Sequence, residues 1–169
     1  MRSSNCSTGA RAVARIHLLG ALLLILPGFT RTALAQGNDV LSIAPVAKVS
    51  AERGKVISQK LDLDVRSGFH VNSNTPEDEF LIPLKLTWNK GPLEPAEVIY
   101  PKPTRETYSF SEKPLSVFTG KFSIVTRFRV SPQAGDMGVM TGRLRYQACN
   151  NKECLPPKTL NVQFSVDVR

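Results

Sequence analysis

The chain is poor in the residues that most chemistry relies on. Of its 169 residues three are cysteine, two histidine and one tryptophan. Beyond residue 36 only Cys149, Cys154 and His70 remain of the first two types. A serine hydrolase would have to use His70 as its base, and a lone histidine on an alternating segment is more often structural. A tetrahedral zinc site needs four ligands, and two thiolates supply half of them; Glu153 could add a carboxylate, but the set stays incomplete. No glycine-rich phosphate loop precedes a helix, because no segment after residue 36 shows helical periodicity. No carboxylate pair sits in a recognisable catalytic frame. No cluster of arginines and aromatics suits nucleic acid. No apolar run after residue 36 approaches the ~20 residues of a membrane span, and no internal repeat or low-complexity tract is present.

What is there begins with a leader. Arg2, Arg11 and Arg15 carry no acidic neighbour, an apolar leucine-rich run follows from Ile16 to Phe29, and Ala33-Leu34-Ala35 puts small residues before Gln36. These are the three parts of a secretory signal peptide, expected over residues 1–35, with Cys6 lost with it. The alternative is an N-terminal membrane anchor, for which the run is short. The expected product is exported, soluble and monomeric. Four arginines (Arg2, Arg11, Arg15, Arg31) leave with the leader, so the net charge falls from +8 to +4. A chain from Gln36 to Arg169 suits one domain with one core.

That domain reads as all-β. Lys60 to Val65, Phe122 to Val130 and Leu160 to Val168 alternate apolar with polar residues, which means one buried face and one wet face. Gly, Pro and Asn break the runs. Strands are expected at Ala44–Val49, Val56–Val65, Phe69–Asn72, Leu84–Trp88, Ala96–Tyr100, Phe122–Val130, Gly138–Ala148 and Leu160–Val168. That number of strands in one domain predicts an immunoglobulin-like β-sandwich, with Trp88 in its core. Two loops stand out: acidic Asn74 to Glu79, and Pro101 to Pro114, long enough to be functional and bearing Tyr108 and Phe110.

Four residues separate Cys149 from Cys154, and Leu155-Pro156-Pro157 follows. A disulfide needs Cα atoms within about 4.4–6.8 Å, which a hairpin loop supplies; Asn150 and Asn151 suit its turn. The prolines cannot donate ladder hydrogen bonds, so they hold the departing chain extended. A bridge closing so few residues stabilises by only roughly 2 kcal/mol. In an exported protein, where disulfides persist, redox exchange is then the better use, with a local structural clip and a metal site as the other readings.

Tyr146-Gln147-Ala148-Cys149 and Cys154-Leu155-Pro156-Pro157-Lys158-Thr159 resemble the cysteine segment of the N-terminal periplasmic domain of DsbD-type thiol:disulfide interchange proteins. Gly68-Phe69-His70-Val71-Asn72-Ser73-Asn74 and Leu81 to Leu86 resemble that family's earlier strand pair. The resemblance covers most of Val40 to Arg169. It implies an immunoglobulin-like sandwich whose redox-active disulfide, Cys149–Cys154, works without another cofactor. Electrons would come from a membrane-embedded thiol reductase through a thioredoxin-like domain, and pass to exported thioredoxin-fold proteins, cytochrome c maturation factors among them. Cys154 would be the exchanging sulfur and Cys149 the resolving one. A cap loop, matched to Glu106 to Glu112, would shield them with Phe110, or alternatively Tyr108. Phe69, His70 and Asn72 stand where some members carry tyrosines near the pair; Tyr146 and Pro156 flank it. Two departures are a four-residue spacing where the best-known bacterial member has five, and a chain that stops at Arg169, which leads us to expect a free-standing relay. The reading from another class is a secreted immunoglobulin-like binding or scaffold module with a structural clip; a copper or zinc chaperone is a third.

Overall fold

A computed structural model describes residues 39–169. The expected leader, with Cys6, lies outside them. The described residues contain strands and no helix: β1 (Leu41–Ile43), β2 (Val49–Ala51), β3 (Val56–Val65), β4 (His70–Asn72), β5 (Lys85–Trp88), β6 (Leu93–Ile99), β7 (Thr104–Glu106), β8 (Leu115–Phe118), β9 (Lys121–Val130), β10 (Met137–Tyr146), β11 (Ala148–Cys149) and β12 (Lys158–Val168). Three sheets result, in the orders β1-β3-β9-β6, β2-β12-β10-β5 and β11-β4-β8-β7. The architecture is all-β and immunoglobulin-like.

The first two sheets form the sandwich. Leu61, Leu63 and Ile124 on one inner face meet Leu86, Leu144 and Val162 on the other. Further along, Leu93, Phe128 and Val130 meet Met140, Phe164 and Val166. Trp88 ties the two regions together. Its ring stands edge-on to Phe128 and Phe164, with centroids 5.2 and 5.6 Å away, and its Nε1 donates to Thr126 Oγ1 at 3.1 Å. The indole thus buries its body and satisfies its one donor. It presses on Gly142, where a Cβ would come within 2.7 Å of the ring.

Long alternating segments became strands as read, within two residues at each end: β3, β9 and β12. The expected strand Ala44–Val49 is a correction. Pro45 has no N–H to give a ladder, and the chain leaves the first sheet after β1, runs irregularly through residues 44–48, and joins the second as β2, parallel to β12. β6 starts earlier than expected because its edge position accommodates Pro95 with a bulge. The expected strand Gly138–Ala148 divides: β10 pairs with β12 and β5, whereas β11 pairs with β4. β7 and β8 were not anticipated. All four residues of β8 are buried, so it carries no period-two signal, and β7 lies inside the segment read as one long loop.

Candidate functional site

The division of β10 from β11 builds the site. At Gln147 the chain leaves the second sheet and carries Cys149 into the third, beside β4. Gln147 holds this corner. Its Oε1 accepts from Ile82 N and from Asn72 Nδ2, both at 3.1 Å, and its Nε2 donates to Leu155 O at 3.3 Å. One side chain therefore fixes the segment after the acidic loop, strand β4, and the residue after Cys154.

Cys149 and Cys154 form a disulfide, with Cα atoms 3.9 Å apart, closer than the expected range of about 4.4–6.8 Å. Leu155 N donates to Ala148 O and Asn150 N to Glu153 O. The cysteines thus occupy a non-hydrogen-bonded rung, the position where antiparallel strands approach most closely. Asn150 Oδ1 accepts from Lys152 N and Glu153 N at 2.8 and 3.0 Å, an Asx turn that reverses the chain. Pro156-Pro157 then runs outside any strand, with Pro156 exposed, before β12 begins. Exposure is unequal across the bridge: Cys149 is 0 % exposed, while Cys154 is half-buried.

His70 faces Cys149 across the β4–β11 ladder and is 1 % exposed. Gly68, at a φ of 82°, makes the turn that leads into it. Phe69 stays half-buried, with the Arg66 guanidinium 4.7 Å from its ring centre. Tyr146, at the end of β10, is buried in the core. Burial lowers the His70 pKa, with the Glu106 carboxylate opposing that shift.

The segment after β7 covers this end. The Tyr108 ring lies on the His70 ring, centroids 3.9 Å apart and planes 20° apart. Its hydroxyl donates to Glu106 Oε2 at 2.6 Å; burial, then that carboxylate, push its pKa up. Ser109 Oγ donates to Asn151 O at 2.6 Å, joining the loop to the turn between the cysteines. Phe110 stacks outside Tyr108 at 5.7 Å and is 38 % exposed. The structure therefore puts Tyr108 directly against His70 and Phe110 farther out, at 6.3 Å from that ring. Sequence reasoning missed Gln147 and Ser109 as members of the site.

Beyond the cover runs a cleft of 650 Å³ whose lining includes Glu77, Asp78, Glu79, Phe80, Phe110 and Glu112. Phe80 is 83 % exposed. Arg105 pairs with Glu77 at 2.5 Å and so ties the acidic loop to β7.

This geometry supports one chemistry directly. A bridge on a two-residue strand and a tight turn can open without moving either large sheet, and Cys154, the less buried of the two residues, is the one a thiolate would approach. The described residues include no helix long and apolar enough to cross a membrane.

No curated protein sequence matches the chain. Among solved structures it resembles the N-terminal periplasmic domain of ScsB from Proteus mirabilis, with 14 % identity and a TM-score of 0.52, over 77 % of this chain and 47 % of that one. The alignment thus spans about half the length of that relative, and at this identity it speaks for the fold alone. The N-terminal domain of DsbD from Neisseria meningitidis, in the reduced form, aligns with 12 % identity and a TM-score of 0.41, over 64 % of this chain and 76 % of that one. The family model of the N-terminal part of the thiol:disulfide interchange protein DsbD matches residues 37–165, which span the sandwich, the cap segment and both cysteines, and on that match the chain belongs to the DsbD N-terminal domain family.

Proposed function

We propose that the domain relays reducing equivalents by opening and closing the Cys149–Cys154 disulfide. Its electrons come from a membrane-embedded thiol reductase through a thioredoxin-like donor, and go to thioredoxin-fold proteins in the periplasm. The observation that carries this reading is the unequal burial of the two cysteines, Cys149 fully buried and Cys154 only half-buried, beside a loop that hydrogen-bonds the turn between them.

A donor thiolate reaching the site meets Cys154. A bond forms between the donor sulfur and Cys154 Sγ, the Sγ–Sγ bond breaks, and Cys149 leaves with the electron pair and gains a proton. The donor's second thiolate then attacks the donor sulfur in the mixed disulfide. That step releases Cys154 and leaves an oxidised donor and a reduced domain. The same steps in reverse reduce the next protein. Tyr108 and Phe110 exclude unrelated thiols until a partner displaces them. The exposed rings of Phe80 and Phe110, on an acidic cleft in a chain of positive net charge, suit a partner whose active-site rim is apolar and basic.

Trapping tests the reading. With Cys149→Ser, Cys154 is expected to accumulate a mixed disulfide with thioredoxin-fold partners, and with Cys154→Ser no such adduct is expected. Trapping by Cys154→Ser alone reverses the two roles. Trapping by neither, together with a reduction potential below about −300 mV, rejects the relay and leaves a binding module with a structural clip.

A further inference from the structure

His70 is a buried titratable group that sulfur exchange alone does not use. Side chains directly opposed across an antiparallel ladder stand on the same face, with Cβ atoms about 4.5–5.5 Å apart, and His70 opposes Cys149 in this way. Among the described residues its Nε2 has no hydrogen-bond partner although it is buried. Leaving such an atom unpaired is costly. Cys149 poses the complementary problem. Once reduced, a thiol with no solvent-exposed surface has an S–H to donate and no water to receive it.

The ring also touches a route to solvent. Beside the cover is a cleft of 580 Å³, lined by His70 together with Asp64, Arg66, Glu106, Tyr108 and Asn151. It shares no lining residue with the acidic cleft beyond Phe110.

We propose that His70 handles the proton of Cys149. In the reduced domain Nε2 accepts the thiol hydrogen. After the Cys154 thiolate has attacked a partner disulfide and expelled one partner thiolate, a mixed disulfide stands. Nε2 then takes the Cys149 proton and the Cys149 thiolate attacks Cys154 Sγ. The Cys149–Cys154 bond forms, the bond from Cys154 to the partner breaks, and the second partner sulfur leaves with the electron pair. The imidazolium releases its proton into the cleft. In the opposite direction Nε2 first takes a proton from the cleft, and the imidazolium gives it to Cys149 as that thiolate is expelled. This inference rests on the relay reading and assigns the group that makes its resolving step fast.

The surroundings suit a neutral base. The titratable groups facing His70 are Glu106 and Tyr108 from the cap, Asp64 and Arg66 from the far wall of the cleft, and Cys149 from β11. Burial disfavours the imidazolium, with Glu106 opposing, so the ring is uncharged near neutral pH and free to accept a proton. Tyr108 does not compete, because its hydroxyl is committed to Glu106.

Rapid mixing of the reduced protein with oxidised glutathione, followed by acid quench and mass analysis, separates glutathionylation of Cys154 from closure of the Cys149–Cys154 bond. His70→Phe keeps a ring for Tyr108 to stack on and removes both nitrogens. Closure is expected to slow about 10²-fold at pH 7 and to rise about tenfold per pH unit, tracking the Cys149 thiolate fraction, with the effect confined to closure. Equal closure rates and pH profiles in the two proteins overturn the proposal while leaving the relay intact. A second measurement needs no variant: on reduction of the wild-type protein, the His70 ring titration followed by NMR is expected to move to lower pH, because accepting the S–H hydrogen favours neutral imidazole. An unmoved midpoint overturns the proposal as well. In Tyr108→Ala, where the cover no longer excludes it, failure of glutathione to form any adduct rejects the relay, and this role with it.

Discussion

Ser109 donates its hydroxyl hydrogen to the backbone carbonyl of Asn151 at 2.6 Å, so the loop that covers the disulfide is fastened to the turn inside it. The stack of Tyr108 on His70 and the Tyr108 hydroxyl on Glu106 hold that loop further. A neutral hydrogen bond contributes about 1 kcal/mol net, and an aromatic pair about 0.5–1.5 kcal/mol beyond its buried area. Contacts of that size cost little for a docking partner to displace.

Ser109→Ala removes that fastening and leaves the sandwich untouched. Losing about 1 kcal/mol raises the open population roughly fivefold. Reduction of the disulfide by dithiothreitol is expected to speed up by that factor, and by more in Tyr108→Ala. Urea midpoints are expected to stay within experimental scatter of wild type. A reduction rate unchanged in both variants would show that the loop does not gate the bridge.

Breaking the disulfide is expected to leave the domain folded. The loop it closes is so short that the link contributes only about 2 kcal/mol in the chain-entropy model, while the apolar core extends far beyond Ala148 and Leu155, the members that adjoin the bridge. Urea unfolding of the oxidised and reduced forms, followed by Trp88 fluorescence, measures the difference. A collapse of cooperativity on reduction would contradict this.

The pH dependence of stability has a sign fixed by His70. Its folded-state pKa lies below the ordinary histidine value, so near about pH 6.5 the unfolded chain binds a proton that the folded domain resists. The contribution is fully present above that pH, declines as pH falls through it, and levels off below the lower folded-state pKa. Between pH 8 and pH 5 the wild-type urea midpoint is expected to fall more steeply than that of His70→Phe. Parallel curves would count against a desolvated ring.

Gln147→Ala removes three hydrogen bonds at once. At about 0.5–1.5 kcal/mol each, the loss is expected to be roughly 1.5–4 kcal/mol, concentrated at one end of the domain. Amide exchange is expected to accelerate at Ile82 and Leu155 and to stay slow at Ile124 and Leu144.

The sandwich was readable in the sequence because its longest strands bury one face and wet the other. β3, β9 and β12 keep that alternation over ten or eleven residues. The third sheet was much less readable. β8 is buried throughout, so its residues cannot show a period, and β11 is two residues that exist as a strand only beside β4. Gln147 reads as an ordinary outward-facing polar residue at the end of an alternating run. Its three partners come from two distant segments and one near one, and no local pattern announces them. The cysteine spacing did point to the hairpin and its turn. Tyr108 and Phe110 are two positions apart on an irregular loop, where no periodicity says which ring turns inward. Position along the chain favoured Phe110 as the shield; the structure sets Tyr108 against His70 and leaves Phe110 at the rim.

The corner at Gln147 has a mechanical consequence. Because the chain changes sheets there, the cysteines leave the long β10–β12 ladder for the short third sheet, whose Val71, Phe118 and Ala148 stay anchored in the shared core. A docking protein can therefore push aside the turn and loop at the tip without unpairing the longest strands, so the domain behaves as a stiff handle with a compliant end.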